Sequence, residues 1–171
     1  MAAVGTAYHN LIRFRPIQAE DESLLRKIYA STRMEELAQV DWPQEQKDAF
    51  LNQQFLAQHD YYLKVYPDAF YWIIILGEQA VGRLYLHHGD TSHRIIDIAL
   101  LPEFRNQGIG AFILQRIIKE AFAEGKSVSI HVEHFNPALH LYERIGLKHI
   151  DTFNSVYYLM ECTPETYQQP A

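Results

Sequence analysis

The stretch Leu101-Pro102-Glu103-Phe104-Arg105-Asn106-Gln107-Gly108-Ile109-Gly110-Ala111 decides how this chain is read. Upstream of it, residues 94–101 (RIIDIALL) are strand-like, and Pro102 ends the run. Downstream, residues 109–124 show helical period. Ile109, Ile113, Ile117 and Ala121 form one apolar stripe, widened by Leu114 and Ile118. Gln115, Arg116, Lys119, Glu120 and Ala123 make the opposite face. A short polar turn therefore joins strand to helix on two glycines one residue apart. Glycine permits conformations that other residues avoid, so successive backbone N–H groups can converge there. They sit at the positive end of the helix dipole, which favours an anion such as a pyrophosphate, and Arg105 adds a full charge.

Two nucleotide folds are excluded. The third glycine at dinucleotide-fold spacing is missing, and no Gly-Lys-Ser/Thr follows. Working outward, residues 11–17 read as a first strand. Asp21 is placed to cap a helix with Leu24, Leu25, Ile28 and Tyr29 on one face, running to about Leu37. Trp42-Pro43 breaks the chain, and Pro43 opens a second helix to about Tyr66, with Phe50, Leu51, Gln54, Phe55 and Gln58 on its inner face. Residues 70–76 and 80–88 form a hairpin around Gly77-Glu78-Gln79. Gly125 stops the helix after the decisive turn. In residues 127–133, Val128, Ile130 and Val132 alternate with Ser129, His131 and Glu133. Asn136-Pro137 reads as a cap with Pro at the first helical position, and Gly146 closes that helix. Residues 147–151 and 155–161 make a terminal hairpin turning near Phe153-Asn154. The order β-α-α-β-β-β-α-β-α-β-β predicts an α/β fold, a mixed sheet with helices on both faces.

The 171 residues suit one domain over 1–171 with its core at about 11–161, and there are no repeats or low-complexity tracts. Apolar residues at 48% and charged residues at 21% are globular proportions. The net charge of −6 argues against a nucleic-acid partner. Cys162 is the only cysteine, so no intramolecular disulfide forms. The longest apolar run, residues 71–76, fits a strand and not a membrane span. Residues 1–10 lack the basic flank and apolar stretch of a signal peptide. A cytoplasmic location is the expectation.

Arg105-Asn106-Gln107-Gly108-Ile109-Gly110 resembles the Arg/Gln-x-x-Gly-x-Gly/Ala signature of the GNAT acetyltransferases. A second block, Asn136-Pro137-Ala138-Leu139-His140-Leu141-Tyr142-Glu143-Arg144-Ile145-Gly146-Leu147, resembles the family's Asn…Leu-Tyr-Glu-x-x-Gly-Phe element, with Leu147 replacing the usual Phe. The resemblance follows element order over residues 11–161, and its specific motifs lie in 98–147. It implies a mostly antiparallel sheet splayed between its fourth and fifth strands. It also implies acetyl-CoA as co-substrate and direct transfer to a primary amine in a ternary complex. The backbone of Ile98, Ala99 and Leu100 would pair with the pantetheine arm like an added strand. The amides of Gln107, Gly108, Ile109, Gly110 and Ala111, with Arg105 and Asn106 beside them, would hold the pyrophosphate, and Asn136 would also contact the cofactor.

Acyl transfer needs an amine without its extra proton and a proton for the leaving thiolate. By resemblance, Tyr142 is the acid; on spacing alone it is equally a core residue, sharing a helix face with Ala138, Leu141 and Ile145. His131, Glu133 and Asp97 are open candidates for the base, as is water. His131 titrates near neutrality. Glu133 shares its strand face, and Asp97 interrupts an apolar strand. His87, His88 and His93 show no metal-ligand spacing. Glu35, Glu36 and Trp42 lie in the connection that often walls the acceptor site in this family, and Tyr61, Tyr62 and Tyr66 read as packing. A catalytically silent acyl-CoA-binding module is the alternative. The acceptor, small molecule or peptide, is open, as is a homodimer through the terminal hairpin.

Overall fold

The computed structural model describes residues 8–167, so the opening seven residues of the segment judged for a signal peptide lie outside the described residues. The chain runs β1 (Ile12–Pro16), α1 (Glu22–Ala38), α2 (Gln44–Val65), β2 (Phe70–Leu76), β3 (Gln79–His88), β4 (Ser92–Leu100), α3 (Ile109–Ala123), β5 (Ser127–Glu133), α4 (Leu139–Ile145), β6 (Lys148–Phe153) and β7 (Tyr157–Cys162). That is the expected order. Seven strands are hydrogen-bonded in the order β1-β2-β3-β4-β5-β7-β6. β1–β2, β5–β7 and β6–β7 pair antiparallel. β4 and β5 pair in parallel, from Ser92↔Ser127 to Ile95↔Ile130. The sheet is thus mixed and mostly antiparallel, as the fold class required.

The described residues fall into two compact units that interleave in sequence. One comprises Asn10–Tyr85 with Asp97–Arg105. Its core is Leu25, Tyr29, Phe55 and Ile73, with Leu24 and Leu51 packed alongside. Two expectations change here. Asp21 precedes α1 but does not cap it. A single 3-10 turn, Ala19–Asp21, comes first, and the Asp21 carboxylate closes that turn by accepting the Gln18 N–H at 2.8 Å. Arg15 grips the same carboxylate at 2.7 Å and holds its pKa below the usual carboxylate range. In α2, Phe55 is buried, whereas Phe50 and Gln54 are exposed. Apolar residues are spread around this helix, so its period marks no single inner face.

Gly82 of β3 lies against β4. A Cβ there would stand 2.3 Å from the Ala99 carbonyl oxygen, so the strand segment at residues 98–100 is held at a distance only glycine allows. The Leu101 N–H continues this contact by donating to the Val81 carbonyl at 2.8 Å.

The other unit comprises Leu86–Ile96 and the described residues from Asn106 on, with Tyr8 and His9. The expected α3 stripe is buried throughout: Ile109, Ile113, Leu114, Ile117, Ile118 and Ala121. Each large side chain so buried contributes roughly 1.5–3 kcal/mol of transfer free energy. The helix packs on β5 and α4. On β5, Val128, Ile130 and Val132 are buried as the alternation predicts, and so is Ser129. The exception has a cause: the Ser129 hydroxyl accepts from Arg94 Nε at 2.9 Å. Gly125 and Gly146 take left-handed φ of 69° and 119° and end their helices. The terminal hairpin turns at Asn154 and Ser155, both left-handed, one residue later than the sequence suggested.

Candidate functional site

The decisive turn is built as a flipped backbone loop. Residues 102–104 form one 3-10 turn, closed by Phe104 N–H to the Leu101 carbonyl at 3.0 Å. Asn106 then adopts φ 60° and Gly108 φ 84°, so two left-handed residues flank Gln107. Successive N–H groups in such a conformation form a concavity suited to an anion. Helix α3 starts immediately after. It has no side-chain cap and no acidic residue in its first turn. Its first internal bond runs from Phe112 N–H to the Gly108 carbonyl at 3.0 Å. The N–H groups of Ile109, Gly110 and Ala111 therefore have no intrahelical acceptor, and nothing in that turn offsets the positive dipole end. This fits a pyrophosphate.

Gly110 carries information of its own. It is helical, and a Cβ there would be 3.4 Å from Leu141 Cδ2, close to ordinary contact. The apo fold does not demand glycine at this position. A helix pays up to about 1 kcal/mol for glycine over alanine. Keeping it is consistent with close approach of a ligand to the backbone.

Arg105 serves the protein side of the loop. Its Nε donates to the Leu100 carbonyl at 2.9 Å, and Nη2 donates to Ser31 Oγ at 3.0 Å. Ser31 in turn donates to the Ile28 carbonyl at 2.6 Å. The side chain thus ties the end of β4 to α1. Asn136 does not cap the helix itself: its Oδ1 accepts the Ala138 N–H at 2.9 Å, ahead of the helix, whose N-cap position is Ala138 without a side-chain cap. Residues 137 and 138 form a turn, and α4 begins at Leu139, two residues after the expected start.

Tyr142 lies on α4 with 4% of its surface exposed. Its carbonyl accepts both the Gly146 and Leu147 N–H groups, which seals the end of the helix. Two of the three candidate bases are engaged by arginines. Arg83, fully buried on β3, holds both oxygens of Asp97, at 3.2 and 2.9 Å, and also donates to Gln58 Oε1 at 3.1 Å. Burial opposes the Arg83 charge, but Asp97 outweighs it and the guanidinium stays protonated. The ion pair is closed over by Tyr85, whose buried hydroxyl has no hydrogen-bond partner and whose pKa burial pushes up to about 12. Asp97 is thereby an anchor for Arg83.

His131 faces Arg94 Nη1, 3.0 Å from Nδ1. The same Nη1 lies 3.4 Å from Nε2, so the guanidinium sits against both ring nitrogens, and the tautomer sets which of them accepts. The ring also lies edge-on to Phe153 at 5.2 Å. Although the residue is exposed overall, burial of the ring, then the Arg94 charge, holds its pKa below the usual histidine range. Both effects favour the neutral imidazole. Glu133 is the last residue of β5. The partners Arg83, Arg94, Ser31 and Gln58 had no local signal in the sequence, because each lies 14 or more residues from the group it engages.

The remaining candidates have neighbours of their own. Glu36 pairs with Arg33 at 3.2 Å, and Trp42 packs on Phe50. The Tyr62 and Tyr66 carbonyls both accept from Tyr71 Oη at 2.8 Å, and Tyr61 lies against Tyr62. His93 is buried between His88 and Glu124. Among the described residues, no group of three or more His, Cys, Asp or Glu is arranged to hold a metal. No described helix is long and apolar enough to cross a membrane.

Comparison with known proteins agrees with this fold. The family model described as "Acetyltransferase (GNAT) family" matches residues 27–147. Over 104 residues, 57% of the chain, the sequence is 30% identical to the cysteine-rich protein 2-binding protein of Mus musculus, and the match spans 13% of that protein's length. Among solved structures, the PaiA N-acetyltransferase of Thermoplasma acidophilum in complex with coenzyme A superposes with a TM-score of 0.65 at 18% identity, covering 89% of this chain and 98% of that one. A GNAT family acetyltransferase of Elizabethkingia anophelis with acetyl-CoA bound gives 0.57 at 18% identity, over 90% and 99%. At these identities the structural likeness is one of fold.

Proposed function

The chain belongs to the acetyltransferase (GNAT) family, and from that premise we propose that it moves an acetyl group from acetyl-CoA to a primary amine by direct attack in a ternary complex. The observation that carries the reading is the uncapped, acid-free start of α3 behind two left-handed residues, Asn106 and Gly108. Acetyl-CoA supplies an acetyl group activated as a thioester. The N–H groups of residues 107–111 bind its pyrophosphate, and the backbone of Ile98, Ala99 and Leu100 lines up the pantetheine arm. Asn136 adds a contact from the start of α4.

Glu133 is the base we assign, directly or through water, for its place on the strand face it shares with His131; Asp97 and His131 are the alternatives. It removes the ammonium proton so that the nitrogen lone pair can attack. As the N–C bond forms and the C–S bond opens, Tyr142 gives its hydroxyl proton to the sulfur and recovers one from solvent. No cysteine lies in the motif region, so no acetyl-cysteine step is invoked. The whole chain acts as one catalytic domain in the cytoplasm, on a small-molecule or peptide amine, as a monomer or as a homodimer through the β6–β7 hairpin.

Two measurements test this. Calorimetry of the full chain with acetyl-CoA should show binding. A mass-shift screen over polyamines, amino acids, aminoglycosides and peptide N-termini should show a gain of one acetyl group on at least one acceptor. Binding without any acetylated amine would favour a silent acyl-CoA-binding module.

A further inference from the structure

The Tyr8 hydroxyl donates to the Gln107 carbonyl at 2.8 Å, across 99 positions of sequence. The Tyr8 ring also lies 6.3 Å from the ring of Phe112, on the first turn of α3. Both contacts fall within one unit of the fold. Gln107 is the residue between the two left-handed positions, Asn106 and Gly108. Its carbonyl shares a peptide plane with the Gly108 N–H. In a trans peptide those two groups point in opposite directions. Whatever fixes the Gln107 carbonyl therefore fixes the direction of the Gly108 N–H.

Gly108 has no side chain to resist rotation of the plane, and glycine crosses between left- and right-handed regions at little steric cost. Flipping the 107–108 plane would exchange the loop's donor for an acceptor and present a carbonyl oxygen to the anion. We propose that Tyr8 is a positioning residue for the anion loop: its hydroxyl pins the Gln107–Gly108 peptide so that the Gly108 N–H faces the pyrophosphate of acetyl-CoA. This rests on the reading of residues 107–111 as the pyrophosphate site. Tyr8 acts through the peptide plane. Its effect is confined to the part of the cofactor that carries the phosphates, and this separates it from a residue that merely supports the fold.

The test uses Tyr8→Phe in the full chain, which keeps the ring on Phe112 and removes only the hydroxyl. Calorimetry compares acetyl-CoA with S-acetylpantetheine, which has the thioester and pantetheine arm but no pyrophosphate. The expected result is a loss of roughly three- to tenfold in acetyl-CoA affinity, the range of one neutral hydrogen bond. Affinity for S-acetylpantetheine should not change. An equal loss on both ligands would make Tyr8 a general support of the fold and overturn the assignment. So would an unchanged acetyl-CoA affinity. The wild-type titration is the separate control: absence of acetyl-CoA binding there would remove the pyrophosphate reading itself, and this assignment with it.

Discussion

Arg94 Nη1 lies 3.0 Å from His131 Nδ1 and 3.4 Å from its Nε2, so a guanidinium sits against one of the imidazoles that the sequence offers as a base. Arg94 is also tied to Ser129 through Nε at 2.9 Å, so the guanidinium is held from two sides.

The first prediction follows from that pair. Glu133→Gln should lower kcat by about a hundredfold or more, the usual value of a positioned general base. His131→Gln should leave kcat close to wild type and the acid limb of the pH–rate profile in place. Steady-state kinetics across pH checks both. Loss of activity with a displaced acid limb in the His131 variant would return the base role to His131.

Gly110→Ala separates ligand binding from folding. The position is helical, and the added methyl meets Leu141 Cδ2 at a near-normal 3.4 Å. Thermal or urea unfolding should show stability unchanged or raised by up to about 1 kcal/mol. Acetyl-CoA affinity should fall in the same protein, because the methyl occupies space beside the first-turn N–H groups. A variant that binds as well as wild type would show that the phosphates do not approach this glycine.

Arg105→Ala should be costly in a different way. The side chain satisfies the Leu100 carbonyl and Ser31 Oγ, so its loss should destabilise by roughly 1–3 kcal/mol. Because two of its donors are committed within the protein, coenzyme A and dephospho-coenzyme A should lose affinity equally. A larger loss for coenzyme A would place the guanidinium on the ribose phosphate.

The contrast between these positions shows what a sequence carries. The α3 stripe was legible residue by residue, since six apolar side chains at helical spacing leave one way to pack. In the Gly-x-Gly turn the left-handed φ of Gly108 was legible from residue type, whereas that of Asn106 was not. The burial of α2 was not: its apolar residues surround the axis, and tertiary contact alone selected Phe55. Nor were Arg83 on Asp97, Arg94 on His131 or Tyr8 on Gln107. Those pairs are made by strand register and loop closure over 14, 37 and 99 positions, which no local window contains.

Acid should weaken the fold, and His93 is one reason. Its ring is buried beside His88 and near Glu124, whose carboxylate Lys126 also holds. Burial first, then the neighbouring His88, keeps its pKa below the usual 6.5, although Glu124 pulls the other way. The unfolded chain therefore takes up this proton at a higher pH than the native one. Stability is full above about pH 6.5 and is lost as pH falls below it. Urea midpoints at about pH 7.5 and about pH 5.5 should differ accordingly, and His93→Gln should narrow the gap. An undiminished gap in that variant would assign the acid sensitivity to other groups.

Tyr142→Phe tests the chemistry most directly. The ring is buried on α4, and phenylalanine keeps that packing, while the backbone bonds from Gly146 and Leu147 to the residue 142 carbonyl do not involve the side chain. Only the hydroxyl is lost. If that hydroxyl protonates the departing thiolate, its contribution belongs to the transition state and not to the bound ground state. Turnover should then fall by about a hundredfold while acetyl-CoA affinity stays nearly intact. Full activity in the variant would mean that solvent supplies the proton. Loss of folding together with binding would mean that the hydroxyl satisfies a buried partner and nothing more. The decisive comparison uses an acyl donor whose thiol is more acidic than that of coenzyme A. A leaving group that departs readily as thiolate needs less help, so the penalty for losing the hydroxyl should shrink with such a donor. A penalty that stays constant across leaving groups would place the defect before C–S bond cleavage and remove Tyr142 from the role of acid.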